Sequence, residues 1–261
     1  MSDSVLLEVD DAVATITLNR PEARNALIAE MKAGLLDTLQ LCGSDPRIRS
    51  VILTGAGQAF CAGQDLREHA DVMSQGGSPL DTVRRHYNPM VTLITTMPKP
   101  VIAALPGVAA GAGASLAFAC DFRIAARRAS LLMAFARVGL SADTGASWTL
   151  QRLVGTARAA ELLMLAEPVS ADQALALGLV TKVVPDEDLV REVREQAAML
   201  AAGPTAAYGA IKESLLYAAG HSLGESLEKE AELQARLGET EDHRDATAAF
   251  LSKAQPVYHG R

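Results

Sequence analysis

An uncharged segment of 21 residues, PVIAALPGVAAGAGASLAFAC, occupies positions 100–120 and limits the folds open to this chain. Its length would allow a helix to cross a bilayer. Its composition favours Ala over Leu, however, and helix-breaking residues interrupt it: Pro100, Pro106, Gly107, Gly111 and Gly113. The segment is therefore predicted to form a buried strand, a tight glycine-rich turn and the start of a buried helix, rather than a membrane span.

Short apolar runs separated by helical patterns surround this segment. Ala14, Ile16 and Leu18 alternate with threonines, which predicts a half-buried strand. A helical apolar pattern follows over residues 27–42. Further β-type runs lie at 51–53, 101–103, around Ile124, at 131–133 and at 180–184. Strands separated by helices or long connections predict an α/β fold.

The second half of the chain is richer in Ala and more helical in pattern. Ser170 with Gln173, and Ser222 with Glu225, have the spacing of capping boxes, in which two side chains satisfy free N–H groups at a helix start. Final helices are predicted over 205–219, 222–237 and 241–253.

A Gly-Pro pair at 203–204 precedes these final helices and suggests a boundary. Residues 1–200 are interpreted as the core, and residues 201–261 as a helical region. The sequence SQGGS at 74–78 is predicted to be a flexible loop.

Composition excludes several classes of function. Lys and Arg number 24 against 31 Asp and Glu, a net charge of −7, so a nucleic-acid-binding surface is not expected. Three cysteines, without CxxC or HExxH spacing, indicate neither a disulfide framework nor a metal site. The sequence MSDSVLLEVDD lacks the features of a secretory signal, and a cytoplasmic location is expected.

Two glycine clusters follow predicted strands, but neither matches a nucleotide-binding fingerprint. The GxGxxG fingerprint needs a third small residue, but Phe60 occupies that position after Gly55 and Gly57. Leu116 occupies it after Gly111 and Gly113. No GxxxxGK[ST] motif occurs. Such turns can direct backbone N–H groups at a developing negative charge, and they can also simply permit close packing.

Several short motifs together resemble one known family. Residues 60–66 read FCAGQDL, residues 107–121 read GVAAGAGASLAFACD and residues 249–253 read AFLSK, with NRP at 19–21 and NAL at 25–27. Their order and spacing resemble the crotonase superfamily of enoyl-CoA hydratases and isomerases. Within it, the chain is most similar to the phenylacetate-pathway isomerases that act on 2-(1,2-epoxy-1,2-dihydrophenyl)acetyl-CoA.

The resemblance implies a crotonase (ClpP-like) spiral of ββα units with a C-terminal helical trimerisation region, assembled as a trimer or a dimer of trimers. It also implies an acyl-CoA thioester substrate whose carbonyl is held by two backbone N–H groups. The matching positions are Gln64 and Ala112. Preorganised donors there would stabilise an enolate, and the side chains at both positions are expected to vary freely.

The residues that match the family's acid and base positions are unusual. The two glutamates of the hydratases correspond to Ser115 and Phe135, and neither can serve as a carboxylate. Asp143, in GLSADTGASW, matches the single proton-shuttling aspartate of the isomerases. A substrate pocket formed by Ser115, Phe135, Leu140 and Trp148 would raise the pKa of Asp143 by desolvation.

Asp143 also has a purely structural interpretation, because Asp commonly caps helices and a helix is predicted to begin near Gly145. The resemblance favours the catalytic role. The chain also departs from these isomerases, which typically carry Pro-Asp followed by a Gly-Gly turn, where it has Ala142-Asp143-Thr144-Gly145-Ala146. Pro106 likewise replaces their usual Asn before Gly107.

Coenzyme A is expected as part of the substrate rather than as a covalently bound cofactor. The resemblance implies that three sets of residues bind it. Arg24 would lie beside the nucleotide phosphates. Phe250 and Lys253 would reach in from a neighbouring subunit, although Lys253 can equally be a solvated terminal lysine. Backbone contacts along the adenine and pantetheine path would come from Ala62, Asp65 and Leu66.

Other candidate residues have simpler interpretations. His69, His86, His221, His243 and His259 are scattered without metal or triad spacing and are interpreted as surface residues. Cys61 is expected to pack in the interior, and the basic run at 84–86 to be a solvated helix face.

Three functions remain open from the sequence. An isomerase would shift a double bond with Asp143 alone, whereas a 2-enoyl-CoA hydratase would need Asp143 alone to activate a water. A silent acyl-CoA-binding protein would bind substrate without changing it.

Overall fold

The computed structural model describes residues 3–261, in which strands of two sheets alternate along the chain. The strands are β1 (Val5–Asp10), β2 (Val13–Leu18), β3 (Ser50–Gly55), β4 (Ala59–Cys61), β5 (Val101–Leu105), β6 (Val108–Ala110), β7 (Phe122–Ala126), β8 (Ser130–Leu132), β9 (Val169–Ser170) and β10 (Lys182–Val184).

The helices lie between and after these strands. They are α1 (Ala29–Ser44), α2 (Leu66–Ser74), α3 (Asn88–Thr96), α4 (Ala112–Ala119), α5 (Ala146–Leu165, interrupted at Gly155), α6 (Ala171–Ala176), α7 (Leu189–Ala201), α8 (Thr205–Ala218), α9 (Leu223–Gly238) and α10 (Glu241–Ser252). Both predicted capping boxes are formed, at the starts of α6 and α9.

The first sheet has the order β1-β2-β3-β5-β7-β10, antiparallel only between β1 and β2. The predicted alternation is confirmed on β2, where Ala14, Ile16 and Leu18 are fully buried. The central strands are buried on both faces, as expected of parallel strands covered on two sides. On one face Ile52 and Ile102 pack with residues of α7.

The second sheet, in the order β4-β6-β8-β9, runs beside the first. The chain visits a strand of the first sheet, then a strand of the second, then a helix: β3-β4-α2 and β5-β6-α4, with β7-β8 leading to α5. This repetition confirms the predicted α/β spiral of ββα units. It also places β4 and β6 side by side, so that the segments following them are neighbours.

The uncharged segment at 100–120 forms β5, β6 and the whole of α4, and every residue of it except the partly buried Val108 is buried. The prediction of a strand, a glycine turn and a buried helix is therefore confirmed. Within residues 3–261, no helix is long and apolar enough to cross a membrane. The cytoplasmic location stays a prediction.

The predicted division between residues 200 and 201 lies at the end of α7, just before the Gly-Pro pair that leads to α8, and it stays a prediction. The C-terminal helices are tied to the core, since Lys212 on α8 donates to Asp121 at 2.7 Å and to two backbone carbonyls. Large apolar side chains are exposed on α9 and α10, among them Leu223, Leu227 and Phe250. The oligomerisation role of this region stays a prediction.

Candidate active site

A cavity of about 650 Å³ opens where the segments after β4 and β6 meet. Its walls come from within residues 62–87, from Gly111 and Ala112, and from within residues 134–143. Most of the lining is apolar, including Met73, Leu80 and Phe135. The cavity is therefore suited to a hydrophobic group, with a few polar atoms to orient it.

The backbone of Gln64 is held by a parallel bridge to Leu27. The N–H of Leu27 donates to the carbonyl of Gly63 at 2.8 Å, and the N–H of Asp65 donates to the carbonyl of Leu27 at 3.1 Å. In such a bridge the residue between the two bonds directs its own N–H to the opposite side. The N–H of Gln64 thus faces away from Leu27, and Gln64 lines the cavity.

The second predicted donor, the N–H of Ala112, begins helix α4. Amide groups in the first turn of a helix have no intrahelical acceptor, and they lie at the positive end of the helix dipole. Gly111, just before it, has φ 50° and ψ −124°, a conformation that is essentially available only to glycine. The glycine therefore makes the sharp turn that precedes Ala112, which lines the cavity.

The two donor segments pack backbone against backbone. A Cβ atom on Gly63 would lie 2.7 Å from the carbonyl oxygen of Ala110, and one on Gly113 would lie 2.3 Å from the carbonyl oxygen of Cys61. Neither distance is compatible with a side chain. Glycine at both positions therefore permits the close approach of the two segments that carry Gln64 and Ala112, both of which line the cavity.

Asp143 contributes the only carboxylate among the described residues that line the cavity. It precedes α5, and its Oδ1 accepts a hydrogen bond from the hydroxyl of Thr144 at 2.7 Å. Burial raises the pKa of this carboxyl above its ordinary value, while the Thr144 hydrogen bond opposes that rise. The residue that caps α5 is Gly145, without any side-chain cap, so the Asp143 carboxylate does not perform the structural role considered above.

The side chain of Gln64 is engaged, contrary to the expectation that it varies freely. Its Oε1 accepts hydrogen bonds from the Lys32 ammonium at 3.1 Å and from the Tyr87 hydroxyl at 2.5 Å. Lys32 and Tyr87 are only 2% and 1% exposed. Sequence reasoning missed both residues, because nothing local to α1 or to the turn at residue 87 indicates that they meet Gln64.

Tyr87 is the last residue of a π-helical turn, Val83–Tyr87, immediately before α3. π-Helical turns are rare and occur often at functional sites. The basic residues Arg84 and Arg85 of this turn are exposed, in agreement with a solvated face. The turn thus directs Tyr87 inward while its charged neighbours remain in solvent.

A second groove, of about 730 Å³, adjoins the cavity and shares Ala62, Gln64 and Leu66 with it. Arg24 and Asp65 also line this groove, so four of the residues predicted along the coenzyme path lie together. Arg24 is exposed and adopts a left-handed backbone with φ 51°.

The Asp65 side chain fixes the start of α2 at the edge of the groove. Its carboxylate caps α2 by accepting from the N–H groups of Arg67 and Glu68, and it pairs with Arg20 at 3.1 Å. The charge of Asp65 is therefore already compensated by Arg20, so Asp65 does not neutralise the neighbouring Arg24.

Of the four residues predicted for the substrate pocket, Phe135 and Leu140 line the cavity, but Ser115 and Trp148 do not. Ser115 is fully buried one turn into α4, and its hydroxyl donates to the carbonyl of Gly111 at 3.0 Å. Trp148 lies on the outer side of α5, with the guanidinium of Arg152 stacked 3.9 Å from its ring centre. The prediction is corrected at these two positions.

Phe250 and Lys253 lie at the end of α10, outside both the cavity and the groove of their own chain. The Phe250 side chain is 82% exposed. Their contribution to a neighbouring subunit's site stays a prediction.

Two further interpretations concern residues at the cavity. His69, taken as a surface residue, is partly buried and lines the cavity, which corrects that interpretation. Cys61 is fully buried as expected, and burial raises the pKa of its thiol to about 12, so it is not a nucleophile.

This chain belongs to the enoyl-CoA hydratase/isomerase family, whose sequence pattern matches residues 8–261. It is 42% identical over 264 residues to the 1,2-epoxyphenylacetyl-CoA isomerase of Escherichia coli (strain K12), covering 100% of both chains. It is also 42% identical over 259 residues to a protein of Rhodobacter capsulatus named "Probable enoyl-CoA hydratase", covering 99% of this chain and 98% of that one. A solved enoyl-CoA hydratase from Polaromonas sp. JS666 superposes with a TM-score of 0.90 at 37% identity, covering 98% and 99% of the two chains.

Proposed function

We propose that this protein is an enoyl-CoA isomerase that shifts a carbon–carbon double bond, with Asp143 as its single proton shuttle. The observation that carries the proposal is that Asp143 is the one carboxylate lining the cavity in the described part of the chain. The positions of the two hydratase glutamates hold Ser115, which is turned away from the cavity, and Phe135, which cannot transfer a proton.

In the proposed reaction the thioester oxygen lies between the N–H groups of Gln64 and Ala112. Asp143 removes a proton from a carbon next to the double bond or the carbonyl, and the electron pair of that C–H bond delocalises onto the thioester oxygen as an enolate. The two N–H groups stabilise this negative charge. Asp143 then returns the same proton two carbons away, so the product has the mass of the substrate.

The raised pKa of Asp143 suits this sequence of steps. A carboxylate with an ordinary pKa is a weak base, whereas one whose charged form is desolvated accepts a proton more readily and still releases it. A single group with this property serves both half-reactions. Hydration needs in addition a correctly placed water, for which the cavity offers no second carboxylate within the described residues.

The coenzyme A moiety is placed in the adjoining groove, with its phosphates near Arg24 and its pantetheine chain along Ala62, Asp65 and Leu66. The shared wall between groove and cavity supports this path, because a thioester ligand has to extend from one to the other. Phe250 and Lys253 would complete the nucleotide site of a neighbouring subunit in a trimer or hexamer. No other cofactor enters the proposed reaction.

The printed name of the Escherichia coli relative suggests an aromatic acyl group for this chain too. The apolar side chains of the cavity, such as Phe135, Val138 and Leu140, support a bulky hydrophobic acyl group of this kind. A role in phenylacetate degradation would follow from that substrate.

A 2-enoyl-CoA hydratase is the second candidate, because a relative with a hydratase name has the same sequence identity to this chain. In this alternative Asp143 alone would activate the water.

The test is to mix the purified protein with a 3-enoyl-CoA and follow both mass and ultraviolet absorbance. If the protein is an isomerase, the absorbance of a conjugated enoyl thioester should appear while the mass stays unchanged. Asp143→Asn should abolish this new absorbance. A gain of one water, repeated with the 2-enoyl isomer alone, would show a hydratase instead. Binding without any change, in wild type and Asp143→Asn alike, would indicate a silent acyl-CoA-binding protein.

A further inference from the structure

Thr144, the neighbour of the proposed proton shuttle, is fully buried and makes its one side-chain hydrogen bond to Asp143. Its backbone is left-handed, with φ 53°, which is rare for a β-branched residue. Gly145 continues in the same region with φ 74°. Adjacent residues do not ordinarily direct their side chains at each other, so this uncommon backbone is what brings the hydroxyl onto the carboxylate.

The two oxygens of Asp143 therefore have different surroundings. Oδ1 accepts from Thr144, whereas Oδ2 has no hydrogen-bond donor among the residues that the structure describes. The other titratable groups lining the cavity are the phenol of Tyr87 and the imidazole of His69. The Tyr87 hydroxyl is already donated to Gln64, and burial raises its pKa, so it is a neutral neighbour of Asp143.

We propose that Thr144 is a positioning residue for Asp143, holding Oδ1 so that Oδ2 is the atom that exchanges the proton with the substrate. This inference rests on the proposed isomerase function. It assigns a role to Thr144 in the turn where this chain, with Ala142-Asp143-Thr144-Gly145-Ala146, departs from the isomerases it resembles.

The chemistry of a carboxyl group explains why one hydroxyl can serve throughout the reaction. While Asp143 is ionised, Oδ1 accepts a charge-assisted hydrogen bond. After Oδ2 takes the proton, Oδ1 becomes the carbonyl oxygen of the acid and still accepts from Thr144. The carboxyl group therefore keeps its orientation between uptake and return of the proton. Because the bond is stronger to the anion, it also offsets part of the effect of burial on the Asp143 pKa.

Two substitutions separate the hydroxyl from the shape of the side chain. Thr144→Val keeps the branched side chain and removes the hydroxyl, while Thr144→Ser keeps the hydroxyl and removes the methyl group. Thr144→Gly also lacks the hydroxyl, and glycine suits the left-handed backbone, so this variant replaces Thr144→Val if the latter does not fold.

The readouts are the titration of the Asp143 carboxyl and the steady-state kinetics. The carboxyl is observed by 13C NMR on protein labelled at aspartate carboxyl carbons, with Asp143→Asn to assign the signal. We expect the Asp143 carboxyl to titrate at higher pH in Thr144→Val and Thr144→Gly than in wild type, and kcat to fall about tenfold with KM nearly unchanged. The acid limb of the kcat/KM profile of both variants should move to higher pH with the titration, and Thr144→Ser should retain wild-type behaviour in titration and kinetics.

The inference would be overturned if Thr144→Val and Thr144→Gly both kept the wild-type titration of Asp143 and the wild-type kcat, and the proposed isomerase would remain intact. It would also be overturned if Thr144→Ser and Thr144→Val lost activity equally with no shift in the Asp143 titration, because Thr144 would then act only through packing. A wild-type protein that converts no enoyl-CoA would contradict the proposed function, and the NMR titration would still decide whether the Thr144 hydroxyl controls the charge of Asp143.

Discussion

The hydroxyl of Tyr87 donates a hydrogen bond to the side-chain oxygen of Gln64 across 2.5 Å. The same oxygen accepts from Lys32 on α1, whose ammonium also lies 3.6 Å from the carboxylate of Glu68 on α2. Helix α1 and the π-helical turn thus meet at the residue whose N–H is the proposed first donor to the thioester, and α2 is linked to it through Lys32. Burial lowers the pKa of Lys32, while Glu68 opposes that change, as expected for a buried cation with a nearby partner.

We expect Tyr87→Phe to lower kcat about tenfold with little effect on acyl-CoA affinity, because the variant removes one of the two hydrogen bonds that hold the Gln64 side chain and leaves its N–H in place. The measurement is steady-state kinetics together with direct titration of a non-reactive acyl-CoA. Tyr217→Phe, on α8 and outside the cavity lining, is the matched control and should behave as wild type. Equal kcat in the two variants would show that the Tyr87 hydrogen bond does not support the donor.

The charge on Asp143 is predicted to destabilise the fold at neutral pH. Burial raises the pKa of Asp143 in the folded protein, so the folded state binds this proton more tightly than the unfolded state does. The resulting gain in unfolding free energy is present at low pH and is lost as pH rises through the raised pKa. Asp143→Asn should therefore unfold at a higher temperature than wild type at pH 7 to 8, and the difference should shrink on acidification.

Thermal unfolding across this pH range provides the measurement, with the exposed Asp37 as the control position for an Asp→Asn substitution. A difference in unfolding temperature that does not change with pH for Asp143→Asn would contradict the raised pKa.

In the wild-type enzyme, kcat/KM should fall as pH drops, with an acid limb above the ordinary carboxyl range, because the ionised form of Asp143 is the base.

The turn before α4 is predicted to require glycine for its backbone alone. A Cβ atom on Gly111 would meet no heavy atom within 4 Å, so only its φ of 50° opposes a side chain. Gly111→Ala should lower the free energy of unfolding by about 1–3 kcal/mol. Gly220→Ala, which also meets nothing within 4 Å and has no left-handed φ, should change it by less than about 0.5 kcal/mol.

Urea denaturation followed by circular dichroism distinguishes these two glycines. Gly111→Ala should also reduce turnover, since a shift of this turn moves the N–H of Ala112. If both variants unfold at the same urea concentration, the turn does not depend on the left-handed conformation of Gly111.

Arg24 is predicted to contact the phosphates of coenzyme A. Arg24→Ala should weaken the binding of a non-reactive acyl-CoA about tenfold and reduce the salt dependence of the affinity. Isothermal titration at two salt concentrations measures both effects. Arg127→Ala, an exposed arginine outside the groove, is the control, and equal losses in the two variants would point to overall charge rather than a phosphate contact.

Local signals made much of the fold predictable. The capping boxes at Ser170 and Ser222 each depend on residues three positions apart, and the alternation on β2 depends on adjacent residues. That Asp143, Gln64 and Ala112 line one cavity could be predicted because the motifs that surround them resemble a family, and their roles stay predictions. None of these inferences requires knowledge of distant contacts.

The remainder of the site depends on contacts that sequence spacing does not encode. Gln64 meets Lys32 and Tyr87 from 32 and 23 positions away, through burial that no local pattern indicates. The direction of a side chain on a helix is equally hidden. Ser115 and Trp148 are close in sequence to active-site positions, yet the helical turn on which each lies directs it elsewhere.

The close packing of Gly63 and Gly113 against neighbouring carbonyls has an evolutionary consequence. The proposed charge-stabilising groups belong to the main chain, whereas the cavity walls that would contact the proposed acyl group are formed by side chains. Substitutions at wall positions such as Met73, Leu80 or Val138 can therefore alter which acyl group is accepted without moving the donors. Selectivity and charge stabilisation can change independently in this scaffold, which makes the wall residues the natural positions for redesigning its substrate range.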